Sequence, residues 1–189
     1  MLLNPLILHI PKSLKEAIEL LGSLPNARLH AGGTFLLNSL KLFKRKGTKT
    51  PEHVISLYKI EELKKIEADK DKLIIGSMVT INDIFDSSLL QNNWGILKTV
   101  CRNISTNPIR NMATIGGNLT CRYTWTEMPA VMIALEAELH FMGSNGQEQI
   151  LSAEEFFQNN AKINKILTKI VIRKDEHARI VYQRVKKTV

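Results

Sequence analysis

Two doubled glycines, Gly32-Gly33 and Gly116-Gly117, are the residues of this chain best placed to do chemistry. The first pair sits in Ala31-Gly32-Gly33-Thr34, the second in Ala113-Thr114-Ile115-Gly116-Gly117-Asn118. Each follows an apolar, strand-like approach and precedes a helix-like stretch. Adjacent glycines admit φ > 0 and leave their N–H groups uncovered by side chains. Successive bare N–H groups form a concave nest for anions, and a helix start beside it adds partial positive charge. Two nests from distant parts of one chain could grip both phosphates of a diphosphate. A tight turn would account for either pair alone, so the flanking residues decide.

Three polar residues flank the second pair. Arg110 either braces the loop as a hydrogen-bond donor, the commoner use of arginine in such a segment, or attracts an anion. Asn118 either caps the following turn or donates to a bound group. Glu127 either favours the start of the apolar helix that follows or accepts hydrogen bonds from ribose hydroxyls beside a diphosphate. Neither glycine pair is a GxGxxG fingerprint, and no GxxxxGK[ST] loop exists. The histidines lack metal-ligand spacing, which argues against a zinc site, and no Ser/His/Asp or Cys/His set is present. Cys101 and Cys121 lack CxxC spacing and point to free thiols in a reducing cytoplasm. The residues suggest a chain that holds a cofactor, with no catalytic residue and no metal of its own.

Composition sets the frame. With 189 residues the chain can bury a sizeable core as one domain or two small ones. The net charge of +8 raises the question of nucleic acid, but aromatics are only 6%, so the charge reads better as solvated surface facing an acidic partner or anionic cofactor. Basic clusters occur at Lys41–Lys49 and Arg184–Lys187. No run approaches the roughly 18 apolar residues of a membrane span. Met1–Ile10 is interrupted by Pro5 and does not read as a signal peptide.

The elements that must position the glycines follow from periodicity. Leu6–Ile10, Arg28–His30 and Val54–Leu57 read as strands, separated by a helix Leu14–Leu21 that Ser13 opens and Gly22 closes, and by a helix from about Thr34. This is a βαβαβ-like unit with a mostly parallel sheet, in which the basic loop Lys44–Lys49 precedes the third strand; the character changes near Leu57–Ile60. Leu63–Glu67 and Leu73–Ser77 read as neighbouring strands. Thr80 and Ser152 cap short helices, Ile96–Ile104 and Pro129–Leu135 are apolar helices, and Ile109–Ile115 leads into the second glycine pair. Glu138–Met142 and Gln149-Ile150 flank a hairpin turn. Lys165–Ile172 and Ile180–Val185 read as the last two strands.

On these residues the chain resembles the FAD-binding medium subunit or domain of the molybdenum hydroxylases, the xanthine dehydrogenase and carbon monoxide dehydrogenase family. The likeness runs from Pro11 to about Arg184. It rests on Pro11-Lys-Ser-Leu-Lys-Glu-Ala-Ile18, Ala31-Gly-Gly-Thr34, Leu73-Ile-Ile-Gly76 with Val79-Thr80, and above all Ile109-Arg-Asn-Met-Ala-Thr-Ile-Gly-Gly-Asn-Leu119. The resemblance implies an α+β fold of the PCMH (vanillyl-alcohol-oxidase-like) type. Residues 1–57 would be a small α/β FAD-binding subdomain and 58–189 a larger one, an antiparallel sheet flanked by helices. It further implies that Ala31, Gly32, Gly33, Thr34, Phe35 and Leu36 line one FAD loop, and Thr114, Ile115, Gly116, Gly117 and Asn118 the other. Glu127 matches the position, usually Asp in the family, that reaches the FAD ribose. Leu167 falls where an apolar side chain packs near the flavin ring, and Arg184 where a basic residue contacts FAD. Arg110 belongs to the same set.

The implied function is electron transfer through bound FAD, from [2Fe-2S] clusters in a small partner subunit to NAD or another acceptor. The molybdenum cofactor would lie in a large partner subunit. The alternative is a degenerate, non-catalytic interaction module of such a complex. Departures from the family pattern are Phe35, where Asp or Ser is frequent, the bulky Trp125, and a chain that stops at Val189 where relatives continue into a C-terminal domain.

Overall fold

The structure, a computed structural model, describes residues 3–123, 125–159 and 164–185. Strands and helices alternate at first: β1 (Ile7–His9), α1 (Leu14–Ser23), β2 (Ala27–His30), α2 (Leu36–Arg45) and β3 (His53–Ser56). The three strands make a parallel sheet in the order β1-β3-β2, as crossover helices between strands require. Ser13 Oγ accepts from the Glu16 N–H and starts α1. The Glu16 carboxylate reaches back to the Lys12 N–H, one residue beyond the usual capping box. Gly22, expected to close α1, lies inside it, where an added Cβ would stand 2.9 Å from Ser144 Cβ. The helix ends instead at Leu24, whose N–H bonds Leu20 O. α2 starts at Leu36 rather than Thr34 and runs into the basic segment as far as Arg45.

The remaining strands and α-helices, besides 3-10 turns at Glu61–Lys64 and Asn92–Gly95, are β4 (Ile66–Ala68), β5 (Lys72–Gly76), α3 (Ile81–Asp86), α4 (Ile96–Asn103), α5 (Asn107–Arg110), α6 (Ile115–Thr120), α7 (Met128–Ala134), β6 (Glu138–Gly143), β7 (Glu148–Ser152), α8 (Ala153–Gln158) and β8 (Lys165–Arg173). Capping boxes start α3 (Thr80 with Asp83) and α8 (Ser152 with Glu155). The five strands form an antiparallel sheet in the order β4-β5-β8-β6-β7, with β8 at its centre. A register shift between His140 and Phe141 leaves Thr168 without a partner residue in β6. The Thr168 hydroxyl donates to His140 O there.

One face of this sheet buries Leu73, Ile75, Leu139, Phe141, Ile170 and Ile172 against Ile84, Leu97, Ile115, Leu119, Met128 and Met132 from the helices. Each fully buried side chain of this size contributes about 1.5–3 kcal/mol. A second cluster joins the two sheets: Ala17, Ile18 and Leu21 of α1 pack with Ile55, Leu57, Ile60, Leu63, Met78 and Ile166. Both glycine segments emerge beside this junction, because β2 precedes one and Thr80, the cap of α3, bridges to Thr114 at the start of the other.

Two sequence expectations fail here. No strand forms over Ile180–Val185; the segment is irregular, with Tyr182 packed against the large core and Arg184 bonded to Glu127 and Asn103 O. The approach Ile109–Ile115 is not strand-like either. Pro108 opens the single-turn helix α5, and a turn then carries the chain into α6. Residues 186 and 187 of the basic cluster Arg184–Lys187 lie outside the described residues.

Candidate functional site

The first glycine loop follows β2 and ends on the N-terminus of α2. Gly33 takes φ 70, the left-handed region that disfavours a side chain, and an added Cβ would lie 2.6 Å from His30 Nε2. Among the described residues, the N–H groups of Gly32, Gly33, Thr34 and Phe35 donate to nothing. Four consecutive open amides at the start of a ten-residue helix concentrate partial positive charge at one place. Lys44 and Arg45 occupy the last turn of that helix and complement its other end. His30 lies beneath the loop, its Nδ1 3.4 Å from Ser56 Oγ. Burial lowers the His30 pKa and favours the neutral ring.

The second loop is built differently. Its amides are engaged internally: Ile115 N–H to Val79 O, Gly116 N–H to Ser77 O, Gly117 N–H to Thr114 Oγ1 and Asn118 N–H to Thr114 O. The expectation of a second open nest is therefore corrected. Gly116 and Gly117 are the N2 and N3 residues of α6, and neither has φ > 0. Glycine is required for close approach instead, since a Cβ on Gly116 would stand 2.6 Å from Ser77 O. Asn118 Oδ1 is buried with no partner among the described residues. Arg110 Nη1 donates to Ile104 O and Ser105 O at 3.1 and 3.3 Å, which ties α5 to the end of α4 and leaves the guanidinium bonded upstream of the glycine loop.

The two loops touch. A Cβ on Gly32 would fall 1.8 Å from Met112 O, and one on Gly117 would reach Ala31 Cβ at 3.9 Å. The chain thus brings both glycine pairs to one place, with the first presenting amides and the second a smooth backbone floor.

Glu127 and Arg184 meet each other: Arg184 Nη2 lies 3.0 Å from Glu127 Oε1, and Nη1 donates to Asn103 O. Glu127 Oε2 has no partner among the described residues. Nearby, the Tyr182 hydroxyl is buried and unpartnered among them, and burial followed by the Glu127 charge raises its pKa. Leu167 is buried in the core of the large sheet, paired with Phe141. Phe35 contacts Tyr123 at 4.4 Å between ring centroids, and Tyr123 stacks on Trp125 at 4.1 Å and 20°. Sequence reasoning missed Ser77, His30, Tyr123 and Tyr182. For Ser77 the only signal was the match at Leu73–Gly76 just before it; for the others there was none. Among the described residues no group of three metal-ligating side chains occurs, and no helix is long and apolar enough to cross a membrane.

Comparison with known proteins fits this geometry. The family model "FAD binding domain in molybdopterin dehydrogenase" matches residues 4–173. The carbon monoxide dehydrogenase medium chain of Hydrogenophaga pseudoflava is 36% identical over 150 residues, covering 79% of this chain and 50% of the relative. The xanthine dehydrogenase FAD-binding subunit of Escherichia coli O157:H7 is 30% identical over 139 residues, covering 73% of this chain and 46% of the relative. This chain spans about half the length of these curated relatives. A solved carbon monoxide dehydrogenase from Hydrogenophaga pseudoflava, lacking the Mo-pyranopterin moiety of its cofactor, superposes with a TM-score of 0.90. Its sequence identity is 30%, over 100% of this chain and 66% of that one. The fold is the α+β, PCMH-type architecture expected from the resemblance.

Proposed function

Because the chain belongs to the family of FAD-binding domains in molybdopterin dehydrogenases, we propose that it is the FAD-binding electron-transfer subunit of a molybdenum hydroxylase-like oxidoreductase. Residues 1–57 and 58–189 act as its two FAD-binding subdomains. The observation that carries this reading is the row of open amides at Gly32–Phe35, lying against the second glycine loop at the head of α2.

The residues present fit a diphosphate-bridged cofactor. The four amides donate to phosphate oxygens with the α2 N-terminus behind them. Gly116 and Gly117 keep side chains out of the floor, which Thr114 and Ile115 hold in place, and Asn118 has a buried side-chain oxygen lacking a partner among the described residues, an acceptor for a hydroxyl of the cofactor and not for its phosphates. Ala31 and Leu36 bound the first loop, and Arg110 fixes α5, which leads into the second, against the end of α4. Glu127 accepts from ribose hydroxyls through Oε2 while Arg184 retains Oε1. Leu167 contributes to the packed wall behind the ring. FAD, when bound, supplies the redox chemistry, and the protein supplies binding and orientation. In the assembled enzyme, electrons arrive from [2Fe-2S] clusters of a small partner subunit, fed by a molybdenum-containing large subunit, and leave to NAD or another acceptor. The complex works in the cytoplasm, where Cys101 and Cys121 remain unpaired.

Purified protein incubated with FAD and freed of excess cofactor should keep a flavin absorbance band. A colourless protein overturns the reading. The Glu127–Arg184 ion pair, which already occupies one carboxylate oxygen, favours one second reading, a flavin-free interaction module. Capture of the iron–sulfur and molybdenum subunits by a colourless protein would support it.

A further inference from the structure

We propose that Phe35, Tyr123 and Trp125 form a stacking platform for one planar ring system of the bound dinucleotide, adenine or isoalloxazine. This rests on the FAD reading above and goes beyond it, since it assigns a ring-binding role to three side chains at positions where Phe35 and Trp125 depart from the family pattern.

The platform grows out of both loops. Phe35 ends the first loop; its N–H is one of the open amides and its ring is 39% exposed. Tyr123 and Trp125 follow α6, the helix that contains Gly116 and Gly117. Tyr123 makes ring contacts with both neighbours, 4.4 Å to Phe35 and 4.1 Å to Trp125, the latter nearly parallel. A ligand whose diphosphate bridges the loops therefore carries its rings past this ladder, one ribose or ribityl spacer away.

The mounting is firm. Arg122, with φ 52, points its guanidinium back into the fold. Nη1 donates to Asn159 O at 2.7 Å and Nη2 to Phe156 O at 3.0 Å, and the group lies 4.2 Å from the Phe156 ring centre. On the other side, Thr126 returns two hydrogen bonds to Tyr123 O, from its hydroxyl at 2.8 Å and its N–H at 3.2 Å. Trp125 nevertheless remains 67% exposed. An indole fixed on a tyrosine and left open to water presents a large flat apolar surface, the form that stacks on heteroaromatic rings. The anion cradle beside it selects the occupant: a ring attached to phosphate.

The test uses the full chain and two substitutions at the exposed position. Trp125→Ala should weaken FAD binding about tenfold, the scale of one lost stacking contact. Trp125→Phe, which keeps an aromatic face, should stay within about threefold of the unsubstituted protein. Urea midpoints of both should be unchanged, since the side chain is exposed. Saturating FAD should also shield the tryptophan emission from acrylamide in the unsubstituted protein. Repeating the titration with ADP and with FMN identifies the ring, since the fragment whose affinity falls with Trp125→Ala is the one that stacks. If the unsubstituted protein binds FAD and Trp125→Ala binds it equally well, the platform is refuted while the FAD reading stands. If the unsubstituted protein binds no FAD, both fall together.

Discussion

Gly32→Ala tests the contact on which the site is built. Cβ of the new residue would fall 1.8 Å from Met112 O, 2.7 Å from Met112 C and 3.1 Å from Ala113 Cα. All three are backbone atoms, so no rotamer change relieves the overlap. Restoring ordinary contact requires the two loops to part by roughly 1.5 Å. Overpacking of this kind typically costs 1–3 kcal/mol, and a rigid backbone neighbour places the cost near the top, about 3 kcal/mol. For a chain of this length that lowers the Tm by about 6–12 °C. The same displacement exceeds what hydrogen bonds from Gly32–Phe35 can follow, so FAD affinity should fall at least tenfold, or about 1.4 kcal/mol. Gly47→Ala is the control: φ is +67 and nothing lies within 4 Å, so only backbone strain of about 1–2 kcal/mol arises and FAD affinity is retained. Urea unfolding and flavin titration of the three proteins decide the matter. Gly32→Ala melting and binding like the unsubstituted chain would show that the two loops do not meet.

Two other outcomes are expected. A double-mutant cycle with Glu127→Gln and Arg184→Ala, read by urea unfolding at physiological salt, should return a coupling of about 0.5–1 kcal/mol, because Arg184 is more than a third exposed and its charge is screened; a coupling near zero would break the assigned ion pair. Thiol alkylation at pH 8 should leave Cys101 untouched in the folded protein, since burial pushes its thiol up to about 12, and modify half-buried Cys121 slowly. Mass spectrometry of the labelled protein checks it, and rapid labelling of Cys101 would contradict the packing of α4.

Local signals explain why much of the architecture was legible beforehand. Ser13, Thr80 and Ser152 each accept from the N–H three residues on, a pattern written in four consecutive letters. The parallel βαβαβ unit and the β6–β7 hairpin follow from periodicity and turn residues in the same way. What could not be read depends on residues far apart. Of the second glycine pair, Gly117 is closed by the local cap Thr114 Oγ1, but the Gly116 amide is closed by Ser77 O, a residue that carries no mark of that role. The ion pair of Glu127 with Arg184 likewise joins two positions expected to face a ligand separately. Ile180–Val185 has the β-branched content of a strand, yet a strand also needs an open edge beside it, and sequence pattern does not show edges.

The central position of β8 has a consequence for how the protein is made. Until residue 173 has left the ribosome, β5 and β6 have no common neighbour, and the large sheet exists only as two hairpin-like halves with apolar edges open. Nascent chain therefore accumulates exposed Leu73, Ile75, Leu139 and Phe141 before the closing strand arrives. Pairings of such long sequence separation are slow to form. Chaperone demand during synthesis should concentrate in that interval.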